Sequence, residues 1–226
     1  MPETLEAIQM DTGPNPQYCV IWLHGLGADG NDFAPIVPEL GLPRSAAIRF
    51  LFPHAPTRPV TINGGYVMRA WYDILGTELT RREDDAGVHA SQQLVEHMIV
   101  REKERGIPAS KLVLAGFSQG GAIALQTGLR HGERIAGIMA LSTYLPVAGT
   151  VAAERSAANA DVPIFMAHGS QDPMIVLPRA RQSRDYLREI GYQVEWHEYP
   201  MPHSVCAEEI RDIGNWLRKV FELGAA

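Results

Sequence analysis

Three features of the 226-residue sequence predict a doubly wound α/β domain, with a mostly parallel central sheet and helices on both faces. Short apolar runs rich in β-branched residues recur from one end to the other. Segments with helical apolar spacing lie between them, and most connections are short. Hydrophobic residues make up 46% of the chain and charged residues 20%, a globular balance rather than a disordered or fibrous one.

The first run, residues 18–23 (YCVIWL), carries no polar face, as a strand covered on both sides requires. Residues 48–52, 111–115, 135–141 and 162–167 repeat that pattern. Residues 193–199 alternate with period two and are expected nearer a sheet edge. Among the intervening helices, residues 83–104 place Val88, Leu94, Val95, Met98 and Ile99 on one face, and Gly106 with Pro108 ends the helix. The last helix carries Ile210, Ile213, Leu217, Val220 and Phe221 as a single stripe. Arg179, Arg181, Arg184 and Arg188 fall at mixed helical spacings beside Asp185 and Glu189, as on a solvated helix face. Residues 53–82 hold Pro53, Pro56, Pro59, Gly64, Gly65 and Gly76 without convincing periodicity, and a connection that long is expected to be a lid or substrate loop. No repeat or linker divides the chain, so one domain over residues 1–226 is expected.

Charge and composition narrow the function classes. The formal net charge of −6 argues against a nucleic-acid partner held by phosphate neutralisation. No stretch approaches the roughly 18 consecutive apolar residues of a membrane helix, and no secretory signal is visible at the N-terminus. Two cysteines, Cys19 and Cys206, make no disulfide framework, so a reduced, cytoplasmic location is expected.

The chemistry is announced at Gly116-Phe-Ser118-Gln-Gly120, a G-x-S-x-G sequence with an apolar strand before it and an Ala-rich helix after it. So abrupt a turn strains the serine backbone and leaves no room for side chains two positions away, which accounts for both glycines. Ser118 is therefore the candidate nucleophile. The plainer alternative is a serine that only caps the helix. A phosphate-cradling loop is disfavoured because no Lys-Ser/Thr pair follows the glycines.

Serine needs a neighbouring base, and in this fold class the acid and then the base follow the nucleophile in chain order, each on a loop after a strand. His203, in the loop between the last strand and the last helix, is the candidate base. His131 at a helix end and His197 inside the period-two strand are expected to be structural. Asp172, in the loop after residues 162–168, is the candidate acid; its alternative is an Asx turn before Pro173. His168 is expected to position that loop. Two oxyanion donors are expected from the backbone NH groups of Gln119 and, in the glycine-rich loop Trp22-Leu-His-Gly-Leu-Gly-Ala-Asp-Gly30, of Leu26. The eight histidines and two cysteines show no metal-ligand spacing, so neither a metal nor any other cofactor is expected.

Together these segments resemble the acyl-protein thioesterase/carboxylesterase (phospholipase/carboxylesterase) family of α/β-hydrolases, in its small bacterial carboxylesterase branch. The resemblance runs through 22–30 and includes Phe52-Pro-His-Ala-Pro56, Arg69-Ala-Trp-Tyr-Asp73, Gly116–Ala122, His168-Gly-Ser-Gln-Asp-Pro173 and Met201-Pro-His203. It implies the α/β-hydrolase fold and functional positions at Ser118, Asp172, His203, Leu26 and Gln119. It also implies an acyl groove lined by Trp71, Tyr72, Leu75, Tyr144 and Met174, with a core-anchor role as the alternative for Trp71, and a homodimer. The expected activity is that of a serine carboxylesterase acting on short to medium acyl esters of small molecules or acylated substrates. The alternatives are an acyl-protein thioesterase or lysophospholipase acting on long acyl chains and, remotely, a non-catalytic binding module.

Overall fold

In the computed structural model, which describes residues 5–43, 45–76 and 83–224, seven strands form one sheet in the order β1-β3-β2-β6-β7-β8-β9. The strands are β1 (Ala7–Asp11), β2 (Tyr18–Leu23), β3 (Ile48–Pro53), β6 (Leu112–Phe117), β7 (Gly137–Leu141), β8 (Ile164–Gly169) and β9 (Val194–Tyr199). All neighbours pair in parallel except β1, which runs antiparallel to β3 at one edge. Helices α1 (Asp85–Glu104), α2 (Gln119–Arg130), α3 (Ala148–Glu154), α4 (Leu177–Glu189) and α5 (Ala207–Val220) complete the fold. Among the described residues, no helix is long and apolar enough to cross a membrane.

Continuous apolar runs form strands here because each strand feeds two cores. Cys19, Ile21 and Leu23 of β2 pack into the core that holds Val95 and Ile99 of α1 and Leu187 of α4. Val20 and Trp22 pack into the other core, with Phe33, Ile213 and Leu217. Strand β6 divides the same way, Leu112 and Leu114 against Val113, Ala115 and Phe117. Alternation persists, but both faces are apolar.

Helix α1 begins where Asp84 accepts the Gly87 NH at 2.9 Å, and it ends before Gly106 at φ 94. The arginines of α4 do not simply face solvent. Arg181 pairs with Glu198, the Arg179 guanidinium lies 3.4 Å from the centre of the Tyr144 ring, and Arg188 donates to the Val194 carbonyl. The connection expected to be a lid or substrate loop carries a two-stranded antiparallel ribbon, β4 (Thr57–Val60) and β5 (Tyr66–Arg69), closed by a turn through Gly64 and Gly65 at φ 65 and 80. Residues 77–82 of that stretch lie outside the described residues.

One buried acid gives the fold a pH signature. Glu209, in the first turn of α5, is fully buried, and that burial pushes its carboxyl up to about 8, with Asp212 adding to the effect. The folded protein therefore holds a proton that the unfolded chain releases near the ordinary carboxylate value. Stability falls as pH rises between those two values. Glu209→Gln is expected to match the parent's Tm near pH 5 and exceed it at pH 8, as read by thermal melts across that interval.

Candidate active site

The carboxyl ends of β2, β6, β8 and β9 lie along one edge of the sheet, and four loops leave from them, the usual place for a ligand in an open parallel sheet. Strand β6 ends at Phe117, and the chain turns into α2 within one residue. Ser118 makes that turn at φ 55 and ψ −121, a positive φ that side-chain-bearing residues rarely occupy. Its backbone is secured by the Leu141 carbonyl, which takes the Ser118 NH at 2.9 Å, and by the Thr143 hydroxyl, which donates to the Ser118 carbonyl at 2.6 Å.

The flanking glycines are required, although they spare different atoms from those expected. A Cβ on Gly116 would stand 2.2 Å from the carbonyl carbon of Gly120. One on Gly120 would stand 2.2 Å from the Leu23 oxygen. Gly116 thus lets the helix return over its strand, and Gly120 lets the helix touch the end of β2, so neither acts by sparing the serine itself.

His203 follows β9, and Asp172 follows β8. Backbone contact joins their loops: the Ser170 and Gln171 NH groups donate to the Tyr199 and Met201 carbonyls at 2.8 and 3.1 Å. Gly169 permits that approach, since a Cβ there would lie 2.3 Å from the Met201 oxygen. Across the junction His203 Nδ1 donates to Asp172 Oδ2 at 2.6 Å. The other carboxylate oxygen accepts the Met174 and Ile175 NH groups at 2.8 and 2.9 Å. Asp172 thus makes an Asx turn with one oxygen and faces the imidazole with the other, so the two readings of this residue are compatible.

His168 supports the same loop, its Nε2 donating to the Ile175 carbonyl at 2.8 Å and standing 3.5 Å from Asp172 Oδ2. Burial lowers its pKa, which keeps the ring neutral. The His203 ring rests on Phe117 with centroids 4.7 Å apart.

Ser118 and His203 line one cavity of about 500 Å³, together with Leu26, Gln119, Tyr72 and Tyr144. Met174 also lines it, and Ile62, Ile74 and Ile175, which sequence reasoning did not name, add apolar wall. The Tyr72 and Tyr144 hydroxyls hydrogen-bond to each other at 2.6 Å. Among the described residues, the backbone NH groups of Leu26 and Gln119 meet no hydrogen-bond acceptor.

Two residues expected on the wall lie elsewhere. Trp71 is fully buried beneath the cavity, where its indole NH donates to the His24 carbonyl at 2.8 Å, which favours the core-anchor reading. Leu75 is exposed and does not line the cavity, although its neighbours Ile74 and Gly76 do. Of the histidines set aside, His131 pairs with Glu96 and His197 stacks on Phe165; neither lines the cavity. Among the described residues, no three His, Cys, Asp or Glu side chains converge as a metal site would require.

Sequence reasoning missed a second use of Gln119. Its side-chain oxygen accepts the Trp71 NH at 3.1 Å, and its side-chain nitrogen donates to the Tyr72 carbonyl at 2.8 Å. The residue after Ser118 therefore fastens the far end of the long connection to the elbow.

The chain is similar to known proteins along nearly its whole length. Residues 5–221 match the family model described as phospholipase/carboxylesterase. The chain is 41% identical over 207 residues to acyl-protein thioesterase 1 of Neurospora crassa, covering 88% of this chain and 84% of that protein. It is 38% identical over 224 residues to acyl-protein thioesterase 1 of Mycosarcoma maydis, covering 92% and 93%. Among solved structures, Arabidopsis thaliana SOBER1 superposes with a TM-score of 0.85 at 29% identity, over 90% of this chain and 98% of that one. Zea mays acyl-protein thioesterase 2 gives 0.80 at 26% identity, over 96% and 100%.

Proposed function

The chain belongs to the phospholipase/carboxylesterase family and is a hydrolase of α/β-hydrolase fold, and from that premise we propose that it cleaves acyl thioesters and esters with Ser118 as nucleophile, His203 as base and Asp172 as orienting acid. The observation that carries the reading is the cavity shared by a serine held at positive φ and an imidazole whose other nitrogen is bound to a buried carboxylate. The name of the relatives, acyl-protein thioesterase, supports acyl thioesters ahead of the short esters ranked first from sequence. The apolar cavity suits an acyl chain of either kind.

In this mechanism Ser118 Oγ attacks the acyl carbonyl carbon while His203 Nε2 takes its proton. Asp172 holds Nδ1–H, so Nε2 is the nitrogen with the lone pair, and the carboxylate stabilises the imidazolium that forms. The negative oxygen of the tetrahedral intermediate accepts from the Leu26 and Gln119 NH groups. Collapse breaks the bond to sulfur or oxygen, and the leaving group takes the proton from Nε2. Water then attacks the acyl-enzyme by the same route, releasing the acid and restoring Ser118.

The test pairs labelling with a graded substrate series. A fluorophosphonate is expected to add once, at Ser118 by peptide mass mapping. kcat/KM is expected to be higher for long-chain acyl thioesters than for acetyl or butyryl oxyesters. Hydrolysis without Ser118 labelling would remove the nucleophile assignment, and a preference for short oxyesters would restore the carboxylesterase reading.

A further inference from the structure

We propose that His24 is a positioning residue that aims the Leu26 NH into the cavity by holding the carbonyl at the other end of the same peptide unit. The inference rests on the hydrolase reading above, in which that NH receives the oxyanion. The Gly25 carbonyl and the Leu26 NH belong to one planar trans peptide, so they point in opposite directions. Fixing one fixes the other.

The His24 ring is built to fix it. Its Nε2 accepts the Ala55 NH at 3.0 Å, which places the ring proton on Nδ1. Nδ1 lies 2.7 Å from the Gly25 oxygen and donates to it. That oxygen also accepts the Ala28 NH, but at 3.3 Å, so the imidazole is the shorter tie. The ring is buried, and desolvation lowers its pKa, which keeps Nε2 able to accept. On its far side Gly27 sits at φ 75, its NH held by the Arg69 carbonyl at 2.8 Å. Glycines on both sides of Leu26 make this peptide easy to rotate, so an external hold on its orientation matters.

The hold continues to the other proposed donor. The Trp71 indole donates to the His24 carbonyl, and the Gln119 side chain binds the backbone of Trp71 and Tyr72. One chain of hydrogen bonds therefore links the residues carrying both NH groups, running from Gln119 through Trp71 and His24 to the Gly25–Leu26 peptide. The spacing of the two donors is set through the side chains of Gln119, Trp71 and His24.

Two substitutions separate the two nitrogens of the ring. An Asn amide nitrogen falls near the position of Nδ1 and keeps the donation to Gly25. A Gln amide oxygen reaches towards Ala55 and loses that donation. His24→Gln is expected to lower kcat by about 10- to 100-fold, below the full loss of a donor, with KM little changed. Affinity for an acyl trifluoromethyl ketone, which forms the oxyanion, is expected to fall by the same factor. Affinity for the non-hydrolysable thioether analogue is expected to stay constant, and His24→Asn to retain most of the activity.

An unchanged kcat in His24→Gln, or a matching loss of thioether binding in both variants, overturns the proposal. Nitrogen NMR of the unsubstituted protein checks the premise without a variant: a His24 ring protonated on Nε2 instead of Nδ1 would refute it. A wild-type protein that neither hydrolyses thioesters nor binds the ketone would instead overturn the function proposed above.

Discussion

Ser118→Ala is expected to abolish turnover, lowering kcat on acyl thioesters by on the order of 10⁴-fold or more, while leaving the fold intact. The magnitude follows from its place in the mechanism: without Oγ no acyl-enzyme forms, and only the oxyanion donors and substrate binding remain. The fold should survive because the turn depends on Gly116 and Gly120 and on the hydrogen bonds that the Ser118 backbone makes with the Leu141 carbonyl and the Thr143 hydroxyl, none of which involves Ser118 Oγ. Alanine bears the same positive φ as serine, so the strain at residue 118 is carried over unchanged. Kinetics with a matched thermal melt make the check. A variant that keeps both its Tm and its turnover would show that the chemistry lies elsewhere.

Asp172→Asn is expected to cost about as much, on the order of 10⁴-fold in kcat, for a different reason. Asparagine can still complete the Asx turn, its oxygen accepting the Met174 and Ile175 NH groups. The amide nitrogen then faces His203 Nδ1, and since it can only donate, the ring must accept there and carry its proton on Nε2. A ring protonated at Nε2 cannot take a proton from Ser118. The loop remains in place while the base is held in the wrong tautomer, so the expected signature is a large fall in kcat with KM and Tm nearly unchanged. A parallel rise in KM and fall in Tm would mean instead that the loop had moved.

The legible parts of the fold are those whose signal is local. Strands β2, β3, β6, β7 and β8 were visible because burial on both faces makes a continuous apolar run. Period two did identify β9 as an edge. Strand β1 is a short edge with no fully buried residue, and β4 and β5 have four residues each with little buried surface, so no period could announce them. Helix α3, at seven residues, is equally brief.

The candidate site follows the same division. Ser118 was legible from its strand-turn-helix context, and Asp172 and His203 from their order and their loops. The support behind them was not: His24 binds a residue 31 positions away, and Gln119 binds backbone 47 and 48 positions away. Trp71 illustrates the limit. An aromatic residue in a long loop reads equally as substrate wall or as core, and only its buried indole bond to His24 separates the two.

The ribbon of β4 and β5 is fastened at its base and again at Thr61 and Ile62, where the Asp73 carboxylate accepts the Thr61 NH at 2.7 Å and the Ile74 carbonyl accepts the Ile62 NH at 3.0 Å. Near the base, the Ala55 NH is bound by His24, the Arg69 guanidinium donates to the Ala55 carbonyl at 2.8 Å, and Trp71 and Tyr72 are gripped by Gln119. Towards the tip, Ile62, Tyr66 and Val67 stand exposed, and Ile62 also borders the cavity. This division of labour makes the tip suitable ground for evolutionary exploration and laboratory selection. Libraries confined to Ile62, Tyr66 and Val67, which spare Thr61 and the turn glycines Gly64 and Gly65, can vary what the entrance welcomes without detuning the reaction centre, whereas grafting the whole segment from a distant relative would import a base whose anchors no longer match their sockets.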